Sequence, residues 1–425
     1  TGVAGASPGG IDDSTGLDKT LTGANSMFTY DAATQTWQAI TNTKDNGLVA
    51  TNGYRVLIRG DRTTNLYAGT TPAATVTTIK ATGTLNQGSI TTPTLAEGFN
   101  LVGNPYASAI DWDATGWNVL RSNINNAMYI YNPAITASVS STTYPTWAAG
   151  VGTNGRSSGI IQSGQSFFIR TTASTTLTFN ETYKVASSAG GYFKNKIENV
   201  LRMSLWNKSN RVDEIIIRLA ADAKQDFDNY YDAYSFGTGN IGLASIKNSE
   251  KLAIQARPIP INADSVALSL NINQMDSLLF KFENTSSFNA DLELFLADAY
   301  THNLHPILSD SIYNFQIDSN SNSQNEDRFQ VIIFRKNAST VNQYLNNISL
   351  KVYPNPAENM IYLISSDPNF INKDCSYTIY NELGQNVSQG ALMGAKTINI
   401  QDFSKGIYFL QLQNKSQIIR TKFLK

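Results

Sequence analysis

Cysteine is almost missing. Cys375 is the only one in 425 residues, which excludes an intrachain disulfide framework. A lone thiol is expected as a small buried hydrophobe rather than a nucleophile, because no histidine stands evidently placed to activate it. Histidine itself occurs only at His302 and His305. Charge is scarce as well: 15 % of residues are charged, against about 25 % in an average soluble domain. A net charge of −1 leaves no electrostatic basis for binding nucleic acid or an anionic membrane. No apolar run reaches the roughly 18 residues that a membrane-spanning helix needs. The opening stretch "TGVAGASPGGIDD" has neither the basic nor the apolar region of a signal peptide, so any such signal is expected upstream.

What is present points to an extracellular β-protein. Serine, threonine, asparagine and glycine replace the missing charge, and 41 % hydrophobic residues suffice for ordinary cores. The length fits roughly two to four domains. Short β-branched or aromatic runs bounded by turn residues recur along the chain: "GYRVLIRG" (53–60), "GQSFFIRTT" (164–172), "EIIIRLAA" (214–221), "RFQVIIFRK" (328–336). Helix candidates are few. "DWDATGWNVLRSN" (111–123) and "AKQDFDNYYDAY" (223–234) each have room for a turn or two. The expected fold class is all-β, with β-sandwich-like modules.

Charge density marks the organisation. Residues 1–190 carry 20 charged side chains and the remaining 235 residues carry 45. The shift falls at "ASSAGGYF" (186–193), a small-residue stretch that reads as a linker. "SNSNSQNED" (319–327) reads as a hairpin loop, and "RKNASTVNQYLNNIS" (335–349) as an aperiodic connector. The expected units are 1–188, 189–338 and 346–425, with residues 339–345 as the linker before the last. The third unit opens on "VYPNPAENMI" (352–361). Pro354 and Pro356 lack N–H donors and hold Tyr353 and Asn355 extended, so this tetrapeptide cannot pair as an interior strand. Roughly seven short strands follow, the pattern of a small immunoglobulin-like sandwich. Along 407–412, Ile407 and Phe409 are expected on one face, and Tyr408, Leu410 and Leu412 on the other.

Several motifs match a regular expression without its chemistry. "GASPG" (5–9) fits the serine-hydrolase elbow, but Pro8 follows the serine and has no N–H for an oxyanion hole. "GTGNIG" (237–242) fits a dinucleotide loop, yet "RPIPI" (257–261) and the absence of βαβ alternation deny it the required helix. "HNLH" (302–305) precedes a proline and is expected in a loop; a zinc site would need a third ligand, with Asp298 and Asp310 the candidates. Asp12 with Asp13, Asp111 with Asp113, and Asp226 with Asp228 are carboxylate pairs of the kind glycoside hydrolysis uses, but each also suits a turn or cap. No cofactor is expected; calcium held by loop carboxylates is the one candidate. "GNPYASAIDWD" reads as a turn at Asn104-Pro105 followed by the inward residues Ile110 and Trp112. Trp37, Trp112, Trp117 and Trp147 are candidates for a sugar-stacking platform, against the commoner fate of tryptophan in a β-core. Trp206 stands apart from them.

The last unit resembles the type A C-terminal sorting domain of the type IX secretion system of Bacteroidota. Four ordered blocks carry the resemblance: "VYPNPAENMI" (352–361), "IYNELGQNV" (379–387), "KGIYFLQLQ" (405–413) and "TKFLK" (421–425). Asn381 stands where an aspartate is common. The resemblance implies that Tyr353, Pro354, Asn355, Pro356, Gly384, Gly406, Tyr408, Lys422, Phe423 and Lys425 make up the sorting signal. It implies export through the periplasm, engagement by the type IX translocon and its outer-membrane β-barrel shuttle protein, and removal of the tail by a surface peptidase. A chain that still carries the tail is then expected to be a form before that cut. Segments such as "FNLVGNPYASAIDWDATGW" (99–117) and "FDNYYDAYSF" (227–236) are similar to parts of large surface proteins of the same phylum. They imply an adhesin-like or gliding-associated passenger with no catalytic residues. A carbohydrate-binding module and the tail of a larger secreted hydrolase are the alternatives.

Overall fold

A computed structural model of the chain describes residues 25, 27–40, 47–56, 76, 84–117, 121–132, 144–186, 197–207, 210–236, 241–261, 263–272, 275–301, 303–335, 350–365, 370–371, 374–414 and 417–425. Among them the regular structure is β, apart from short turns such as the 3-10 turns at Glu181–Tyr183 and Thr285–Ser287. No described helix is long and apolar enough to cross a membrane.

The first body centres on a five-stranded antiparallel sheet, ordered Gly98–Gly103, Ser166–Thr171, Ile124–Tyr129, Thr146–Ala148, Val151–Gly152. Side chains alternate across its strands. Val102, Met128, Trp147, Phe167 and Ile169 face one core, where they meet Ile110, Trp112, Trp117 and Phe179. Ala127, Tyr129, Ala148 and Phe168 face the other way and pack on Val200, Ile216, Ala233 and Ile254 of the second body. The hairpin of Met27–Asp31 and Thr36–Ala39 adds Tyr30 and Trp37 to this second contact.

The second body is an eleven-stranded sheet, antiparallel except where Asn210–Leu219 runs parallel to Glu250–Arg257. Its wings enclose one core, since Leu294 and Val331 from one side join Met203, Phe280 and Phe315 from the other in a single cluster. Residues 318–327 connect the wings. They are not a hairpin loop: strand Ile312–Ile317 pairs with Asp276–Glu283, whereas Phe329–Arg335 pairs with Ala263–Ile272 and Leu292–Asp298. The crossing is anchored by Arg328, buried with Asp298 at 2.6 Å, while Tyr313 donates to the same carboxylate.

Residues 223–232 are a loop that runs into the short strand Ala233–Tyr234, contrary to the helix their spacing allows. The reason is local competition for backbone N–H groups. Asp228 accepts from the amides of Tyr230 and Lys224, and Asp232 accepts from those of Asp228 and Ala256. Lys247 pairs with Asp232 at 2.8 Å, with both side chains fully buried. The loop also reaches the first body, where Asn229 bonds Ile124 and Asn126.

The terminal unit is a two-layer sandwich of seven strands. Leu350–Tyr353, Met360–Ser365 and Thr397–Asn399 form a three-stranded sheet. Asn386–Ala391, Cys375–Asn381, Ile407–Asn414 and Gln417–Leu424 form a four-stranded one. Between the layers lie Val352, Ile361, Leu363, Ile379, Tyr408, Leu410, Leu412 and Phe423, with Cys375 buried among them. Burial raises the Cys375 thiol pKa, as a small structural hydrophobe requires. Ile407 and Phe409 face outward, as alternation demands.

Candidate functional site

Segments far apart in the sequence meet at one end of the terminal sandwich. The first strand stops at Tyr353, because Pro354 and Pro356 have no N–H to offer a neighbour; both X-Pro bonds here are cis. The final strand therefore needs other partners near its end. Asn355 supplies one: its Oδ1 accepts from the Leu424 amide at 2.8 Å. The Ala357 amide donates to the Leu424 carbonyl at 2.7 Å. One residue further, Lys425 and Gly406 exchange two backbone bonds, of 2.9 and 3.1 Å. The Lys425 ammonium donates to the carbonyls of Ile400 and Gln401. Tyr408 stacks on buried Phe423 with ring centroids 5.5 Å apart, and its hydroxyl donates to Ser404 O.

The remaining block reaches the same end. Asn381 lies directly across from Tyr408, so the turn that follows it is adjacent. Gly384 sits in that turn at φ +78, a conformation costly for other residues. Asn381 Oδ1 accepts from the amides of Leu383 and Gln385, which is the turn role an aspartate would otherwise play. All ten predicted signal residues thus gather at or beside one end of the sandwich. They divide in function: Gly384, Gly406, Tyr408 and Phe423 build the end, whereas Asn355, Pro356 and Lys422 are exposed on it. Tyr353, Pro354 and Lys425 are half-buried.

The structure adds residues that the sequence reading did not single out. Leu383, Ile407, Phe409 and Leu424 are large, apolar and exposed near this end. Ile407 is opposite Leu424, and Phe409 is opposite Lys422. Such a patch marks an interaction surface more often than chance exposure does. The signal for it lay in strand 407–414, whose outward positions begin with isoleucine and phenylalanine instead of polar residues.

The tryptophan platform is corrected. Trp112, Trp117 and Trp147 are 0, 1 and 1 % exposed. Each indole N–H is taken within the fold, by Asn126 O, Thr178 O and Asp113 Oδ2 respectively. Their rings meet neighbours rather than solvent: Arg121 lies 3.7 Å over Trp112, and Tyr183 stacks on Trp117 at 4.5 Å. Trp37 is half-buried between Tyr30 and Phe168, with Arg55 over its ring at 4.4 Å. A three-dimensional core claims large rings wherever their N–H finds a carbonyl.

The other candidates have structural partners. His305 lies in strand Asn303–Pro306, not a loop, where it stacks on Phe282 and bonds Asp310 O at 2.9 Å. The Asp113 amide donates to Asp111 Oδ1, and Asp226 accepts from Asn248. Asn104 organises its turn by donating to Ser108 O and Gln162 O. Burial pushes the Asp213 carboxyl up to about 6, yet the amides of Leu243 and Glu214 hold it. Glu214 joins the two bodies by accepting from Arg202, Arg211 and the Asn154 amide. Residues 5–9, Asp12, Asp13, residues 237–240 and His302 lie outside the described residues.

Two family models match the chain. Residues 13–333 match the family described as a domain of unknown function (DUF8693). Residues 351–425 match the secretion system C-terminal sorting domain. No curated protein matches the chain.

Proposed function

The chain belongs to the DUF8693 family and ends in a type IX sorting domain, and from that premise we propose that residues 13–333 are a non-enzymatic, adhesin-like module displayed outside the cell. Secretion to the surface or beyond follows from the sorting domain itself. The passenger's role is supported by how its reactive side chains are used. Buried Asp232, Asp298 and Glu214 are each paired with a lysine or arginine that ties strands or loops together. The sugar-binding alternative keeps only Trp37 of its four tryptophans, which favours the adhesin-like reading over a carbohydrate-binding module.

The observation that carries the sorting role is the convergence of Asn355, Gly406 and Lys425 on the end of the last strand. We assign the exposed part of that end, with Lys422, Phe409 and Ile407, as the surface read by the shuttle of the secretion machinery. Asn355→Ala and Lys422→Ala, made singly in the secreting host, are expected to leave most of the protein in the periplasm. Normal display of both variants on the surface or in the medium would refute the assignment. Point variants are preferable to deletion of residues 346–425, because deletion also bares an apolar face of the passenger.

A further inference from the structure

The three-stranded sheet of the sorting domain is apolar on both sides. Ile361 and Leu363 point into its own sandwich. Tyr353, Met360, Tyr362 and Ile364 point outward, and there they meet the passenger. The passenger strand opposite has the same character: Phe329, Val331 and Ile333 face its own core, while Ile332 and Phe334 face the sorting domain. Ala297 and Leu304 complete the contact. Tyr353 stands edge-on to Phe334, with ring centroids 4.4 Å apart at 84°. The Lys351 ammonium lies 5.3 Å from the same ring. Tyr362 and Phe334 are 6 and 2 % exposed, a level reached only because each face covers the other.

A strand solvated on one side carries polar residues there, whereas a strand covered on both sides does not. Both strands are of the second kind, and each is the cover of the other. We propose that this seam is a binding interface in its own right, which holds the sorting domain on the passenger independently of residues 336–349. Cutting the connector alone then leaves two chains associated. Release then requires that the face of Tyr353, Met360, Tyr362 and Ile364 come away from the passenger. The motif tyrosine, Tyr353, takes part in the seam, where it is half-buried against Phe334 for as long as the passenger is docked. Asn355, Pro356 and Lys422 stay readable on the docked domain.

The test uses the whole chain with a specific-protease site inserted between residues 340 and 341. After complete cutting, the two fragments are expected to co-elute in size exclusion under native conditions. Phe334→Asp on the passenger and Tyr362→Lys on the sorting domain, each in the cut chain, are expected to weaken association at least about tenfold. Circular dichroism and thermal melting of each uncut variant check that both bodies stay folded; substitutions on outward faces leave both inner cores intact. Separate elution of two folded wild-type fragments would overturn the proposal. So would co-elution undiminished by both substitutions.

Discussion

The two sheets of the terminal sandwich share one core but differ on their outer faces. The three-stranded sheet turns Tyr353, Tyr362, Met360 and Ile364 against the passenger, which buries Tyr362 and half-buries the other three. The four-stranded sheet turns Ile407, Phe409 and Leu424 to solvent, 45, 46 and 41 % exposed, beside the exposed basic residues Arg420 and Lys422. Apolar character is therefore not the difference between them; cover is. A face covered within the chain contributes to its stability. An apolar face left open is the kind of surface on which a partner docks.

This contrast can be broken most sharply along one strand. Leu410→Ala removes a side chain from between the sheets and should cost about 2–5 kcal/mol in urea unfolding of the sorting domain. A cost near zero would mean that the two sheets do not share a packed core. An intermediate effect is expected at the end of the sandwich. Lys425→Met loses the bonds to the Ile400 and Gln401 carbonyls, and should cost about 1 kcal/mol in the same measurement. The smallest stability change belongs to the open face. Phe409→Ser should stay within about 0.5 kcal/mol of wild type yet reduce export severalfold by cell fractionation. Unchanged export would remove Phe409 from the recognition surface; a large stability loss would show that its face is covered after all.

Much of the terminal domain was legible in the sequence because its determinants are local. Prolines stop the first strand, Asn381 and Gly384 make a turn, and alternation along 407–412 sorts side chains to two faces. The same local rules misled where long-range partners intervened. Residues 223–234 have helical room, but Asp228 and Asp232 capture the amides of Lys224, Tyr230 and Asp228, while Ala256 and Lys247 arrive from different strands to bond Asp232. Residues 319–327 look like a hairpin loop because strands flank them, yet the flanking strands pair with others. His305 preceded a proline and read as loop, but Leu292–Asp298 provides an edge on which it pairs as a strand.

The candidate site shows the same division. Every residue proposed for the signal could be named from its motif, because each motif is a contiguous block. That Asn355 would meet Leu424, or Gly406 exchange bonds with Lys425, depends on how the ends of seven strands come together. The tryptophans mark the limit of composition: three of the four proposed for a ligand lie in the core, since a nearby carbonyl or carboxylate satisfied each indole N–H.

By itself the sequence determined the all-β class, the small terminal sandwich and the blocks that make it a sorting domain. Those properties follow from period-two patterning and turn chemistry, which act over a few residues. Only the tertiary structure decided which apolar faces are covered. "MIYLIS" (360–365) and "VIIF" (331–334) both lack alternation, which says that a second face is buried but not against what. Burial depends on shape and on the approach of distant segments, so the answer, that each of these strands covers the other, exists only in the folded chain.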